Sequence, residues 1–216
     1  MHMLNGLIVR VAAMVVLATV LSPTLSVAQV VYGNLGSSGT GALSGTNTDV
    51  DLTNWPAQGF STGSSTALNV QSITMGVFYD NSLTGPFTVS LYADAAGQPA
   101  GTSLATSSAT TVGTNALYTF PFTGLTLSPN TTYWAIPAVG LSWYRNLSET
   151  APIAENGSGY SYVGTLITAN GGSSYSSVNP GYSISVNAVP EPASVGLMAL
   201  GAAGLGVTAL RRMRRG

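Results

Sequence analysis

The chain has 216 residues, of which 6% are charged, with no cysteine and no lysine. Between Gln29 and Val189 one arginine faces six acids, a net charge of −5. This excludes nucleic-acid binding, which needs basic side chains to displace phosphate counterions, and the missing thiols exclude a disulfide framework.

Arg10 and the N-terminal amine precede an apolar run from Val11 to Leu21, which Pro23 ends. Ser26-Val27-Ala28 then supplies small residues where a signal protease cuts, so residues 1–28 read as a secretory signal peptide. The run is too short to favour a retained membrane helix. Residues 29–59 are rich in Gly, Ser and Thr and read as a loose arm, with an initial strand at Val30–Tyr32.

The pattern tightens into a β domain over residues 60–187. Leu68 and Val70 alternate with polar residues, the phase slips near Gln71–Ser72, and Ile73, Met75, Val77 and Tyr79 resume it. One slip inside a long strand predicts a β-bulge. Phe87, Val89 and Leu91 alternate with Thr88, Ser90 and Tyr92, and Gly97-Gln98-Pro99-Ala100-Gly101 reads as the next turn. Tyr118, Phe120 and Phe122 share a strand face, and Leu125 and Leu127 lead into a turn at Ser128-Pro129-Asn130. Tyr133–Ile136 reads as a buried strand with Pro137 at its end. Strands at Tyr160–Thr168 and Tyr182–Val186 follow, and no segment has the apolar period of an amphipathic helix. The class is all-β, an antiparallel sandwich or jelly roll.

Chemistry is scarce in this region. His2, the single histidine, lies in the segment expected to be removed, so the mature chain has no His, Cys or Lys. Catalytic triads, Schiff-base lysines and ordinary zinc sites are excluded, and no cofactor is expected. Glu149 and Glu155 could form a hydrolytic carboxylate pair, but acids in such loops are ordinarily solvated charges. Asp49 and Asp51 are weak calcium candidates, far short of the six to eight oxygens calcium takes. Trp143, Tyr144 and Arg145 are candidate glycan-binding residues, because aromatic faces stack on sugar rings and Arg donates hydrogen bonds. The competing account of Trp143 is core packing.

Residues 188–216 form the tail. Val189-Pro190-Glu191-Pro192-Ala193 is an extended segment, since each proline restricts itself and its predecessor. The uncharged run 195–210 would span about 24 Å as a helix, slightly short of a bilayer core of about 30 Å. Arg211, Arg212, Arg214 and Arg215 would hold its end in the cytoplasm, leaving the β domain outside. Pro190-Glu191-Pro192, a glycine-rich apolar helix and a terminal arginine cluster together resemble the PEP-CTERM sorting tail, also catalogued as an ice-binding-protein C-terminal motif. The resemblance implies processing by an exosortase-type protease after passage through the secretion machinery. It also implies transient inner-membrane anchoring, then release to the cell surface or extracellular matrix. Exopolysaccharide is the further partner considered.

Val89–Ala105, "VSLYADAAGQPAGTSLA", and Tyr118–Ala138, "YTFPFTGLTLSPNTTYWAIPA", resemble the choice-of-anchor R domain of bacterial surface proteins. Ala100 departs from that pattern by separating Pro99 from Gly101. This likeness implies a β-rich core and a surface location, with no activity attached. The expected function is therefore a non-enzymatic structural or interaction role in the envelope, or, as the alternative, carbohydrate binding.

Overall fold

The computed structural model describes residues 28–35, 47–51, 53–63, 67–79, 85–144, 153–154, 159–178 and 181–190. One compact unit runs from Ala28 to Glu191. Residues 1–27 of the expected signal peptide, the helix expected at 195–210, Arg145, Glu149, Glu155, Glu191, Pro192 and the terminal arginines lie outside the described residues.

Among the described residues there are fifteen strands, all paired antiparallel: β1 (Gln29–Gly33), β2 (Asn47–Asp49), β3 (Trp55–Ser61), β4 (Leu68–Phe78), β5 (Pro86–Phe87), β6 (Val89–Asp94), β7 (Pro99–Thr106), β8 (Thr110–Thr111), β9 (Ala116–Leu127), β10 (Thr132–Pro137), β11 (Ser142–Tyr144), β12 (Ile153–Ala154), β13 (Ser161–Thr168), β14 (Ser176–Ser177) and β15 (Ile184–Pro190). The first sheet has the order β12-β1-β15-β4-β11-β2, with β9 also on β4. The second has the order β14-β13-β3-β10-β6-β7, and β5 and β8 form a small ribbon. The all-β expectation holds, and the two large sheets pack as a sandwich.

Alternating residues of both sheets fill the space between them. Ile73, Met75 and Val77 of β4 meet Val89 and Leu91 of β6 in one core with Phe120, Phe122, Ile184 and Val186. Phe60 stands at its aromatic centre, 5.3 Å from the Tyr32 ring, 6.1 Å from Tyr133 and 5.9 Å from Tyr160. Such pairs stabilise by about 0.5–1.5 kcal/mol each beyond the area they bury.

The bulge expected near Gln71 is present. On β4 the register shifts between Val70 and Ser72, with three β9 residues from Phe122 to Gly124 opposite the single Gln71. β15 shifts at the same level, between Asn187 and Ala188. Against β15, whose Asn187 and Ala188 pair with Ser72 and Val70, Gln71 is the extra residue, and it lets Val70 and Ile73 both point inward, which strict alternation forbids. The turn after β6 lies two residues earlier than expected. Ala96 and Gly97 have φ of 57° and 83°, and the Ala95 N–H donates to the Gln98 carbonyl at 2.7 Å. Positive φ at both central residues defines a primed hairpin turn, so Pro99 opens β7 instead of belonging to the turn.

The strand expected at Val30–Tyr32 is present as β1, between β12 and β15. Later in the stretch read as a loose arm, β2 pairs with β11, β3 lies between β13 and β10, and the boundary at 59/60 falls inside β3. Pro56 is accommodated because β3 pairs with β10 only from Gln58 to Ser61 and has β13 alone beside Pro56.

A buried polar network ties the sheets together. Gln58 is fully buried. Its Nε2 donates to the Tyr32 hydroxyl at 3.2 Å and the Gly164 carbonyl at 3.1 Å. Its Oε1 accepts from the Thr165 hydroxyl at 3.0 Å and the Tyr182 N–H at 3.1 Å. Tyr32 in turn donates to the Gly59 carbonyl at 3.1 Å. Burial dominates at Tyr32 and pushes its phenol well above the usual range, so it stays a neutral donor.

Candidate functional site

Of the glycan-binding residues proposed from sequence, Trp143 does not lie at the surface. Trp143 is fully buried, its Nε1 donates to the Ser183 carbonyl at 2.9 Å, and its ring stacks on Tyr182 with centroids 4.5 Å apart. Its faces are therefore closed to a sugar. The cause is register: Trp143 pairs with Val77 of β4 and falls on the inward face of the first sheet. Tyr144 ends β11, opposite Asn47 of β2, and Arg145 lies outside the described residues.

The weak calcium candidates separate in role. Asp49 lies in β2 opposite Ser142. Asp51 builds a turn: its Oδ1 accepts from the Thr53 N–H at 2.6 Å, the Thr53 hydroxyl at 2.7 Å and the Asn54 N–H at 2.7 Å. Its Oδ2 accepts from the Asn54 side chain at 2.7 Å. These four donors use the lone pairs a calcium ion would need, and no group of three or more metal-binding side chains occurs among the described residues.

Led by the Thr53 hydroxyl, the same donors hold the Asp51 carboxyl well below the ordinary carboxylate range of about 4. Its folded pKa lies under its unfolded one, so its contribution to stability is complete above about pH 4. It is lost as pH falls below that through the folded value. Asp51→Asn is expected to retain the turn and to flatten the acid limb of stability, read as Tm between pH 5 and 2. A limb as steep as that of the parent would contradict this role.

The turn has a structural purpose. The Trp55 Nε1 donates to the Asp51 carbonyl at 3.1 Å, and the Gly171 N–H donates to the Thr53 carbonyl at 2.9 Å. One turn thereby fixes both Trp55 and the 169–175 loop.

These elements meet on the outer face of the second sheet. Trp134, Ile136, Ala57 and Leu166 form a second apolar cluster there, with Trp55, Tyr92 and Tyr175 packed on it and partly exposed. The Trp134 Nε1 donates to Asp94 Oδ1 at 2.8 Å, while Asp94 Oδ2 accepts from the Gly97 N–H at 3.1 Å. Trp134 lies flat against Gly59, its cross-strand partner, and a Cβ on Gly59 would come within 2.6 Å of the indole. Gly59→Ala is expected to displace Trp134 and to cost about 1–3 kcal/mol, the usual range for overpacking. Near-UV circular dichroism and urea unfolding check this; an unchanged tryptophan signal would contradict the packing.

Above this layer opens a cleft of about 420 Å³, between the 95–101 hairpin and the 171–175 loop. Trp55, Tyr92 and Tyr175 line it, with Gln98 and Ser173 among its polar groups. Gly172 closes one side, so near Trp55 that a Cβ there would come within 2.9 Å of the ring. Burial raises the Tyr175 phenol, with the neighbouring Tyr92 adding to the effect, so the Tyr175 hydroxyl is neutral at physiological pH. A smaller cavity of about 130 Å³ adjoins it, sharing Trp55 and Tyr92 and reaching Ser90, Ile136 and Val139. The sequence carried one signal for this site: Tyr92 is an aromatic on the polar phase Thr88, Ser90, Tyr92.

Fold and site together define an antiparallel β-sandwich with an uncharged aromatic cleft on one outer face. Residues 188–215 match the PEP-CTERM protein-sorting motif, which marks the chain for exosortase-dependent sorting and export to the surface or beyond. Among curated proteins and among solved structures, none matches the chain. The motif begins inside the fold: Ala188, Val189 and Pro190 belong to β15, where they pair with Val70, Asn69 and Leu68 of β4. Pro190 is thus both the last residue of β15 and the first of the Pro-Glu-Pro triplet.

Proposed function

We propose that the chain is a structural or interaction protein of the cell envelope or extracellular matrix, and that its β-sandwich works by binding and not by catalysis. The carrying observation is the match of residues 188–215 to the sorting motif, which overlaps the last three residues of β15. The absence of His, Cys and Lys from residues 29–189 supports a non-enzymatic role.

In this reading the signal peptide and secretion machinery carry the domain across the inner membrane. The 195–210 helix holds it there transiently, with Arg211, Arg212, Arg214 and Arg215 on the cytoplasmic side. An exosortase-type protease then acts near Pro190, Glu191 and Pro192. The choice-of-anchor R likeness of residues 60–187 belongs to the same proposal. The second reading, carbohydrate binding, is favoured by the aromatic cleft and not by Trp143.

Cell fractionation with Glu191→Ala tests the sorting step. The variant is expected to accumulate in the inner membrane while the parent reaches the surface. Equal surface delivery of both would overturn the role given to the triplet.

A further inference from the structure

We propose that the cleft on the outer face of the second sheet binds an uncharged oligosaccharide lying along the groove. This deepens the reading of the chain as an exported interaction protein and rests on it.

Four observations carry the assignment. First, the floor is aromatic and already rigid. Trp55 is held by the Asp51 turn, and Tyr92 and Tyr175 pack on the buried Trp134 layer. A pyranose ring presents slightly positive C–H groups on its faces, which pack on the negative face of an aromatic ring. Little ordering entropy is lost when the platform is fixed beforehand.

Second, the polar groups are neutral and suited to hydroxyls. Gln98 and Ser173 line the cleft, and each can donate and accept. Third, no charged side chain lines either cavity, and no basic residue occurs among the described residues. The nearest acid in sequence, Asp94, has its two oxygens engaged by Trp134 and Gly97. An anionic glycan would meet no counter-charge here, which selects an uncharged chain.

Fourth, the site is extended. The cavities of about 420 and 130 Å³ share Trp55 and Tyr92 as a common wall. A ligand crossing that wall occupies both, so the groove fits several linked sugars better than one.

The test uses the full chain, titrated with cellohexaose, laminarihexaose and maltohexaose, with oligogalacturonate and a proline decapeptide in parallel. Trp134 and Trp143 are 1% and 0% exposed, so acrylamide quenching reports on Trp55. At least one uncharged hexasaccharide is expected to protect Trp55 from quenching. Trp55→Ala and Tyr92→Ala are each expected to weaken binding at least tenfold by calorimetry, with near-UV circular dichroism confirming the fold. Should Trp55→Ala fail to fold, Tyr92→Ala and Gln98→Ala carry the comparison.

Failure of all three hexasaccharides to bind at millimolar concentration overturns the proposal. So does tighter binding of the uronate or the peptide, or affinity unchanged in folded variants. A protein that reaches the surface yet binds no uncharged hexasaccharide removes the cleft assignment alone. A protein retained in the cytosol with both termini intact removes the export reading.

Discussion

Trp143→Ala is expected to destabilise the sandwich by about 3–5 kcal/mol, the usual cost of emptying a buried aromatic site. Trp143 is the side chain through which the short strand β11 enters the core. It stacks on Tyr182 at 4.5 Å and donates to the Ser183 carbonyl at 2.9 Å. That carbonyl also accepts from the Gly76 N–H at 3.1 Å, so the indole joins β11, β4 and the start of β15 at one point. Typical domains are stable by about 5–15 kcal/mol, so the loss would bring the chain near unfolding. Trp143→Phe keeps most of the volume and removes the indole hydrogen bond to the Ser183 carbonyl, with an expected cost of about 1–2 kcal/mol. Urea unfolding measures both through the midpoint at constant slope. An alanine variant within about 0.5 kcal/mol of the parent would contradict the buried placement.

Gln58→Leu is the second large effect, again about 3–5 kcal/mol. Leucine matches the volume but supplies neither the donor to Tyr32 and Gly164 nor the acceptor for Thr165 and Tyr182. Each disrupted buried polar partner costs about 1–3 kcal/mol. The network also specifies which residues of the two sheets face one another, because Tyr32 belongs to the first sheet and Gln58 to the second. Tyr182 touches both Trp143 and Gln58, so the two substitutions are expected to be non-additive in a double-mutant cycle. Full additivity would show that the stack and the network act separately.

Much of the sandwich is legible in the sequence where one strand face is buried and the other is not. β4 is an example: Ile73, Met75 and Val77 are buried while Ser72, Thr74 and Phe78 between and beside them are half-buried, and the phase slip marks Gln71 as the bulge. β3 shows why the arm was misread. Pro56 to Phe60 are all buried, because Phe60 and Gln58 face the main core while Ala57 and Gly59 lie under the Trp134 layer. With both faces covered the period of two disappears, and a strand spelled Trp-Pro-Ala-Gln-Gly-Phe-Ser looks like a loop.

The candidate site was hidden for a related reason. Trp55, Tyr92 and Tyr175 are far apart in sequence and come together only through the pairing of β3, β10 and β6 and the folding of the 169–175 loop. Trp143 stands in a compact run of aromatic and polar residues, so local composition pointed to it. Register decides otherwise, since its pairing with Val77 turns it inward. The sorting tail is legible without any fold, because its three parts follow one another in order along the chain.

Mass spectrometry of both termini of the surface-located protein tests the central claim most directly. The account predicts a chain that begins near Gln29 and lacks Arg211 to Arg215. An intact Arg215-Gly216 end on the surface protein would contradict it.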